Sequence, residues 1–163
     1  MSLKKTSRQW LELFEQKLRN KITTFYNGSL LPSSISKQDL PILTIELLSS
    51  LTDEALSGTV KDGERFNFRV TIWINRLDGY NQLGADQDNT SQDSLQDIIE
   101  KRNADGDIEN DTVRGVIRDN LQISNRLLYN MNVRTNYEDY ISGDEFPLAR
   151  AITEFEAIYR SNR

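Results

Sequence analysis

Arg65-Phe66-Asn67-Phe68-Arg69-Val70-Thr71-Ile72-Trp73-Ile74-Asn75 alternates from end to end. Phe66, Phe68, Val70, Ile72 and Ile74 take one side; Arg65, Asn67, Arg69, Thr71, Trp73 and Asn75 take the other. A period of two belongs to a strand, whose successive side chains point to opposite faces. One apolar face beside a mostly polar one predicts an antiparallel strand with a single side on the core. At about ten residues it is long against a usual five or six, which suits the centre of a sheet. Trp73 is the exception on the polar face. Either a second layer of the same domain covers it, or a neighbouring subunit does, since Trp is enriched at interfaces.

Working outward, Pro41 opens Ile42-Leu43-Thr44-Ile45-Glu46-Leu47-Leu48, a β-branched apolar run that reads as a largely buried strand. Residues 49–63 read as a polar connection. Residues 7–22 predict an amphipathic helix, with Trp10, Leu13, Phe14, Lys17, Leu18 and Ile22 at helical spacing and Thr6 or Ser7 as its cap. Asn27-Gly28-Ser29 marks a turn. Downstream, 76–93 lacks a period and reads as a long loop. Leu95, Ile98 and Ile99 begin a helix capped by Ser91 or Ser94, and the acidic stretch 103–111 interrupts it. A longer helix is predicted from Asp111 or Thr112, with Val113, Val116, Ile117, Leu121, Leu127 and Leu128 on one face. Tyr137 and Tyr140 fall in a loop or short strand. Residues 147–160 admit two readings. As a helix, Leu148, Ala151, Ile152, Phe155, Ile158 and Tyr159 form a stripe behind Pro147. As a strand, Ala151, Thr153, Phe155, Ala157 and Tyr159 face one way. Local periodicity prefers the helix. The whole chain, 1–163, is read as one α+β domain: a mostly antiparallel sheet with a long central strand, packed against two to three helices.

With 37% hydrophobic and 28% charged residues the chain has globular composition. No run approaches the roughly 20 apolar residues of a membrane-spanning helix, and no apolar stretch follows Lys4 and Lys5 as a secretion signal requires. The chain has no cysteine and no histidine. That excludes disulfides, thiolate nucleophiles, imidazole bases and the usual zinc sites. No catalytic residue, cofactor or metal is assigned, and the chain is read as a protein-binding protein rather than an enzyme.

Two motifs resemble chemistry and fail on inspection. Asn103-Ala-Asp105-Gly-Asp107-Ile-Glu109-Asn-Asp111 spaces oxygen ligands like a calcium loop. From Asn103, however, the sixth residue is Ile108 and the twelfth Arg114, where a glycine turn and a bidentate Glu are needed. Glu154 and Glu156 would share a strand face as paired carboxylates do, but an edge or sheet face charged against aggregation is by far the better explanation. No glycine precedes Lys-Ser or Lys-Thr, so no phosphate-cradling loop occurs.

Charge is unevenly spread under a net charge of −5. Residues 1–21 are basic through Lys4, Lys5, Arg8, Lys17, Arg19 and Lys21. Residues 86–111 are acidic through Asp86, Asp88, Asp93, Asp97, Glu100, Asp105, Asp107, Glu109 and Asp111. These are either two solvated faces or poles that steer association. Given the acidic balance, the basic helix is expected to meet acidic protein rather than DNA.

The order of elements, from N-terminal helix and Pro-preceded strand to Phe66–Asn75 and the closing Arg150-Ala-Ile-Thr-Glu-Phe-Glu-Ala-Ile-Tyr-Arg160, resembles the small tail-terminator and head-to-tail joining (neck) proteins of tailed bacteriophages. The resemblance spans most of the chain and rests on pattern. It implies that 149–160 is a strand paired with the long central one. It also implies a hexameric ring that caps the tail tube and joins it to the neck or connector, in a virion assembled in the bacterial cytoplasm. DNA would pass only as cargo. Lys4, Lys5, Arg8, Lys17, Lys21, Trp73, Glu154 and Glu156 are then candidate subunit contacts. Asp86, Asp88, Asp93, Asp105, Asp107, Glu109 and Asp111 are candidates for an acidic lumen or ring face. The loop at 76–93 and the helix at 112–130 depart from the simplest members. Two other readings stand beside it: an acidic adaptor or inhibitor imitating nucleic acid with 86–111, and a carboxylate enzyme that only a cleft of paired acids would support.

Overall fold

The computed structural model describes residues 5–53, 63–76, 91–123, 126–127, 133–141 and 146–160. Helix α1 (Ser7–Leu18) leads to a short strand β1 (Thr24–Asn27), then to the long strands β2 (Ile42–Asp53) and β3 (Gly63–Asn75). Helices α2 (Ser91–Glu100) and α3 (Val113–Leu121) follow. The small pair β4 (Gln122–Ile123) and β5 (Arg126–Leu127) comes next, and β6 (Arg134–Ile141) and β7 (Leu148–Arg160) close the chain. The main sheet has the order β1-β2-β3-β7-β6 and is antiparallel except for the β1–β2 pair. The architecture is α+β, with the long alternating strand at its centre.

The alternation of β3 sets the two faces. Phe68, Val70, Ile72 and Ile74 are buried beneath the helices together with Leu43, Ile45, Ala149, Ala151, Phe155 and Ala157. Trp10 of α1 sits edge-on to Phe155 at 5.0 Å, and Phe155 stacks on Phe68 at 5.3 Å. These aromatics supply much of the area that α1 removes from water. Thr6 caps α1 in a reciprocal box: its hydroxyl accepts the Gln9 N–H at 3.2 Å, and the Gln9 side chain accepts the Thr6 N–H at 2.8 Å. The helix ends at Leu18 rather than at residue 22, although Ile22 remains buried.

Several expectations are corrected. The helix predicted from 112 towards 130 stops at Leu121, and Leu127, expected on its face, lies in β5. Gln122 and Ile123 instead leave the helix to pair antiparallel with Arg126 and Leu127. Leu128 lies outside the described residues, as do 77–90 of the predicted loop. Strand β2 continues to Asp53, beyond the expected Leu48, by pairing with β3 across an irregularity between Leu47 and Ser49. Residues 134–141 form a full edge strand around Tyr137.

Residues 148–160 are strand, paired with β3 at thirteen positions. Their helical periodicity is overridden because Ala149, Ala151, Thr153, Phe155 and Ala157 all fall on the buried face. Mostly small side chains there let the helix layer approach; β3 pairs along the whole strand, and β6 pairs with its first part, Leu148–Glu154.

Candidate functional site

The helix-free face of the sheet divides into two halves. At one end the segment after β1 folds across it, so Ile35, Ile42, Trp73 and Leu148 form a second small core flanked by Leu30, Leu40, Ile141 and Phe146. Trp73 is 2% exposed there, with the Arg150 guanidinium 5.1 Å from its ring centroid. A second layer of the same chain therefore covers Trp73. It is a core residue, and the subunit-contact expectation for it is withdrawn.

The other half carries a ladder of ion pairs that the strand register dictates. Arg69 forks between two neighbours, donating to Glu154 on β7 at 2.8 and 3.1 Å and to Glu46 on β2 at 3.2 Å. The hydrogen bond to Glu154 raises the Arg69 pKa further above its ordinary value. Arg65 reaches Glu156 at 3.3 Å, Arg150 donates to Glu138 at 2.6 Å, and Asn67 donates to Ser49 at 2.8 Å. Glu46, Arg69, Glu154 and Arg134 form one row across four strands with alternating charge. Glu154 and Glu156 are each engaged by an arginine. At partial exposure such pairs contribute about 0–1 kcal/mol each. Their larger effect is to specify which strands lie side by side.

The basic and acidic segments meet inside one chain. The Lys21 ammonium donates to the Asp111 carbonyl at 2.9 Å and the Asp97 carbonyl at 3.3 Å, and lies 3.5 Å from the Asp111 carboxylate. Lys21 thus ties the end of α1 to α2 and to the start of α3, and its candidate role as an inter-subunit cation is corrected accordingly. Lys5 lies over the Trp10 ring at 5.6 Å, and burial lowers its pKa. Arg8 and Lys17 stand exposed on α1. Lys4 lies outside the described residues.

Among the acidic candidates, Asp86 and Asp88 also lie outside the described residues, and Asp93 is half-buried in the first turn of α2. Asp105, Asp107, Glu109 and Asp111 belong to a compact turn. The Asn103 side chain accepts the N–H groups of Asp105 and Asp107, both at 3.0 Å, and Gly106 takes φ +86°. Arg102 donates to the Gly106 carbonyl at 2.8 Å, and Arg118 donates to the Ile108 carbonyl at 2.9 Å and to Asn110 at 2.6 Å. Arginines thus interrupt the negative surface. Among the described residues no three acidic groups converge as a metal site requires.

Sequence reasoning missed two features. The first is a half-buried node: Tyr137 on β6 donates to Glu100 at the end of α2 at 2.7 Å, and Arg114 on α3 donates to the other Glu100 oxygen at 2.7 Å. Burial first, and then Glu100, push the Tyr137 pKa well above its ordinary value. The second is an open edge. Strand β1 pairs only with Ile42–Ile45, so among the described residues nothing pairs with the β2 edge from Glu46 to Asp53. Leu47 and Leu48 beside it are 47% and 42% exposed. The adjacent leucines, which break the alternation of β2, were the available signal. No protein-family model matches the chain, and no curated protein matches it. No helix among the described residues is long and apolar enough to cross a membrane.

Proposed function

We propose that the protein is a structural subunit of a phage tail or neck: a tail-terminator-like ring former that caps a tail tube and joins it to the head connector. The observation that carries this reading is β7. Its thirteen-position pairing with the long central β3 is the arrangement the resemblance implies, and local helical periodicity argues against it. The surfaces suit such work. The described residues present ion-paired strands, an open strand edge and exposed leucines.

In this reading the chain acts through shape. A five-stranded sheet with helices on one face is a stiff plate, and a stiff plate holds a fixed angle to its neighbours. In a head-to-tail assembly that angle decides whether the run of subunits closes, and the closure proposed is a hexamer. Lys21, Asp111 and Trp73 are occupied within the subunit, which leaves Arg8 and Lys17 on α1 and the sheet edges to meet neighbours or tube. DNA passes through the ring as cargo, and the particle assembles in the bacterial cytoplasm.

Light scattering after size exclusion tests the proposal. A species of six times the chain mass, growing with protein concentration, is expected. A strict monomer up to the solubility limit overturns the ring reading. The nucleic-acid mimic gains nothing from the turn at 103–111, where Arg102, Arg118 and Lys21 hold the backbone and neutralise part of the charge.

A further inference from the structure

We infer that copies of this chain join head to tail by sheet extension: β6 of one copy adds antiparallel to the uncovered half of β2 in the next. This rests on the ring reading and names its contact.

Each edge is open among the described residues. On β2 the stretch Glu46–Asp53 lies beyond the reach of β1, and β6 closes the opposite side of the sheet with no strand outside it. An unpaired edge is a template for another strand. Natural edges are commonly blunted with lysine or proline, whereas this one carries Leu47 and Leu48, both exposed.

The two edges fit each other in four respects. The first is length, since β6 has eight residues and the free part of β2 spans eight positions. The second is direction. Every step from β2 through β3 and β7 to β6 is antiparallel, so β2 and β6 run oppositely. A copy held in the same orientation therefore offers β6 antiparallel to β2, with its helices on the same side.

The third is phase. With Arg134 set opposite Asp53, positions 134, 136 and 138 fall opposite 53, 51 and 49, all on the helix-free face. Positions 135 and 137 then fall opposite 52 and 50 on the helix face. The next step meets the irregularity that each strand carries, between Glu138 and Ile141 in β6 and between Leu47 and Ser49 in β2. Slipping by one residue would put every side chain on the wrong face.

The fourth is charge. The register pairs basic Arg134, exposed at the start of β6, with acidic Asp53 at the end of β2, while Glu138 meets Ser49. Slipping by two residues loses the Arg134–Asp53 pair. Because β1 occupies the first part of the β2 edge, the incoming copy sits about 20 Å further along the strands, taking about 3.3 Å per residue. A staggered, heterologous contact of this kind either closes into a ring or runs on as a filament.

The absence of cysteine from the sequence gives a direct test. The full-length double variant Asp53→Cys plus Arg134→Cys is oxidised and run on a non-reducing gel beside both single variants, with light scattering of the unoxidised protein. A ladder of three or more linked chains is expected from the double variant, and no species above dimer from either single. Charge reversal supplies the second measurement: Arg134→Asp should weaken association about tenfold, and adding Asp53→Arg should restore it. An oligomer that forms without the ladder or the rescue overturns the edge pairing and leaves the ring reading intact. A chain that stays monomeric at every concentration overturns both.

Discussion

Replacing Gly115 in α3 with alanine should destabilise the protein, although helix propensity alone predicts the opposite. Alanine in a helix interior gains about 1 kcal/mol over glycine. A Cβ built on Gly115, however, lies 2.2 Å from the Glu109 carbonyl oxygen, 3.0 Å from the Asn110 Cα and 3.0 Å from the Thr112 hydroxyl. Two of these neighbours are backbone, and the turn that carries them is held from several sides. The Glu109 N–H donates to the Lys101 carbonyl at 2.8 Å, and the Glu109 carbonyl accepts from Thr112 at 2.7 Å. The Thr112 hydroxyl in turn accepts the Gly115 N–H at 3.0 Å.

Making room for the methyl must displace that turn and weaken one or two of these bonds, each worth about 1 kcal/mol. Overpacking itself costs about 1–3 kcal/mol. Subtracting the propensity gain leaves Gly115→Ala less stable by about 2 kcal/mol. Urea unfolding followed by circular dichroism reads this as a lower midpoint at unchanged slope. A variant as stable as the parent, or more so, would refute the close approach of 109–110 to α3, and with it the packing of the acidic turn.

Trp73→Ala should cost about 3–5 kcal/mol in thermal or urea unfolding; a variant of unchanged stability and weakened association would restore Trp73 to an interface. Lys21→Met should cost about 1–2 kcal/mol, because the Asp97 and Asp111 carbonyls lose a charged donor, and equal midpoints would show that the clamp contributes nothing. Tyr137→Phe is read by pH. A phenol whose pKa is raised on folding contributes stability that is complete below its unfolded value of about 10 and is lost as pH rises towards the folded value. The parent's advantage over Tyr137→Phe should therefore hold up to about pH 10 and shrink steadily above it, to be followed by unfolding at fixed pH; a difference that stays constant as pH rises from about 9 to about 11 would sink the assignment.

Patterns that repeat within a few residues were legible from sequence. The alternation of 65–75, the Thr6 cap, the helical spacing of Leu95, Ile98 and Ile99 and the apolar stripe of α3 each follow from local geometry, and each stands in the structure. The open edge of β2 was not legible. Residues 49–53 have no period of their own and become strand because β3 lies beside them. The acidic and basic segments read as separate poles because linear distance hid the Lys21–Asp111 contact, ninety residues apart in the chain.

The sequence by itself determined the helix-free and helix-covered faces of the central strand, since side-chain alternation is a property of one strand alone. Only the tertiary structure decided that residues 148–160 are strand, that Trp73 is core, and that α3 ends at Leu121. Each of these depends on which backbone or side chain arrives from elsewhere in the chain. Residues 148–160 carry a helical stripe and a strand face at once, and β3 along their whole length, with β6 beside 148–154, satisfies hydrogen bonds that local periodicity cannot weigh.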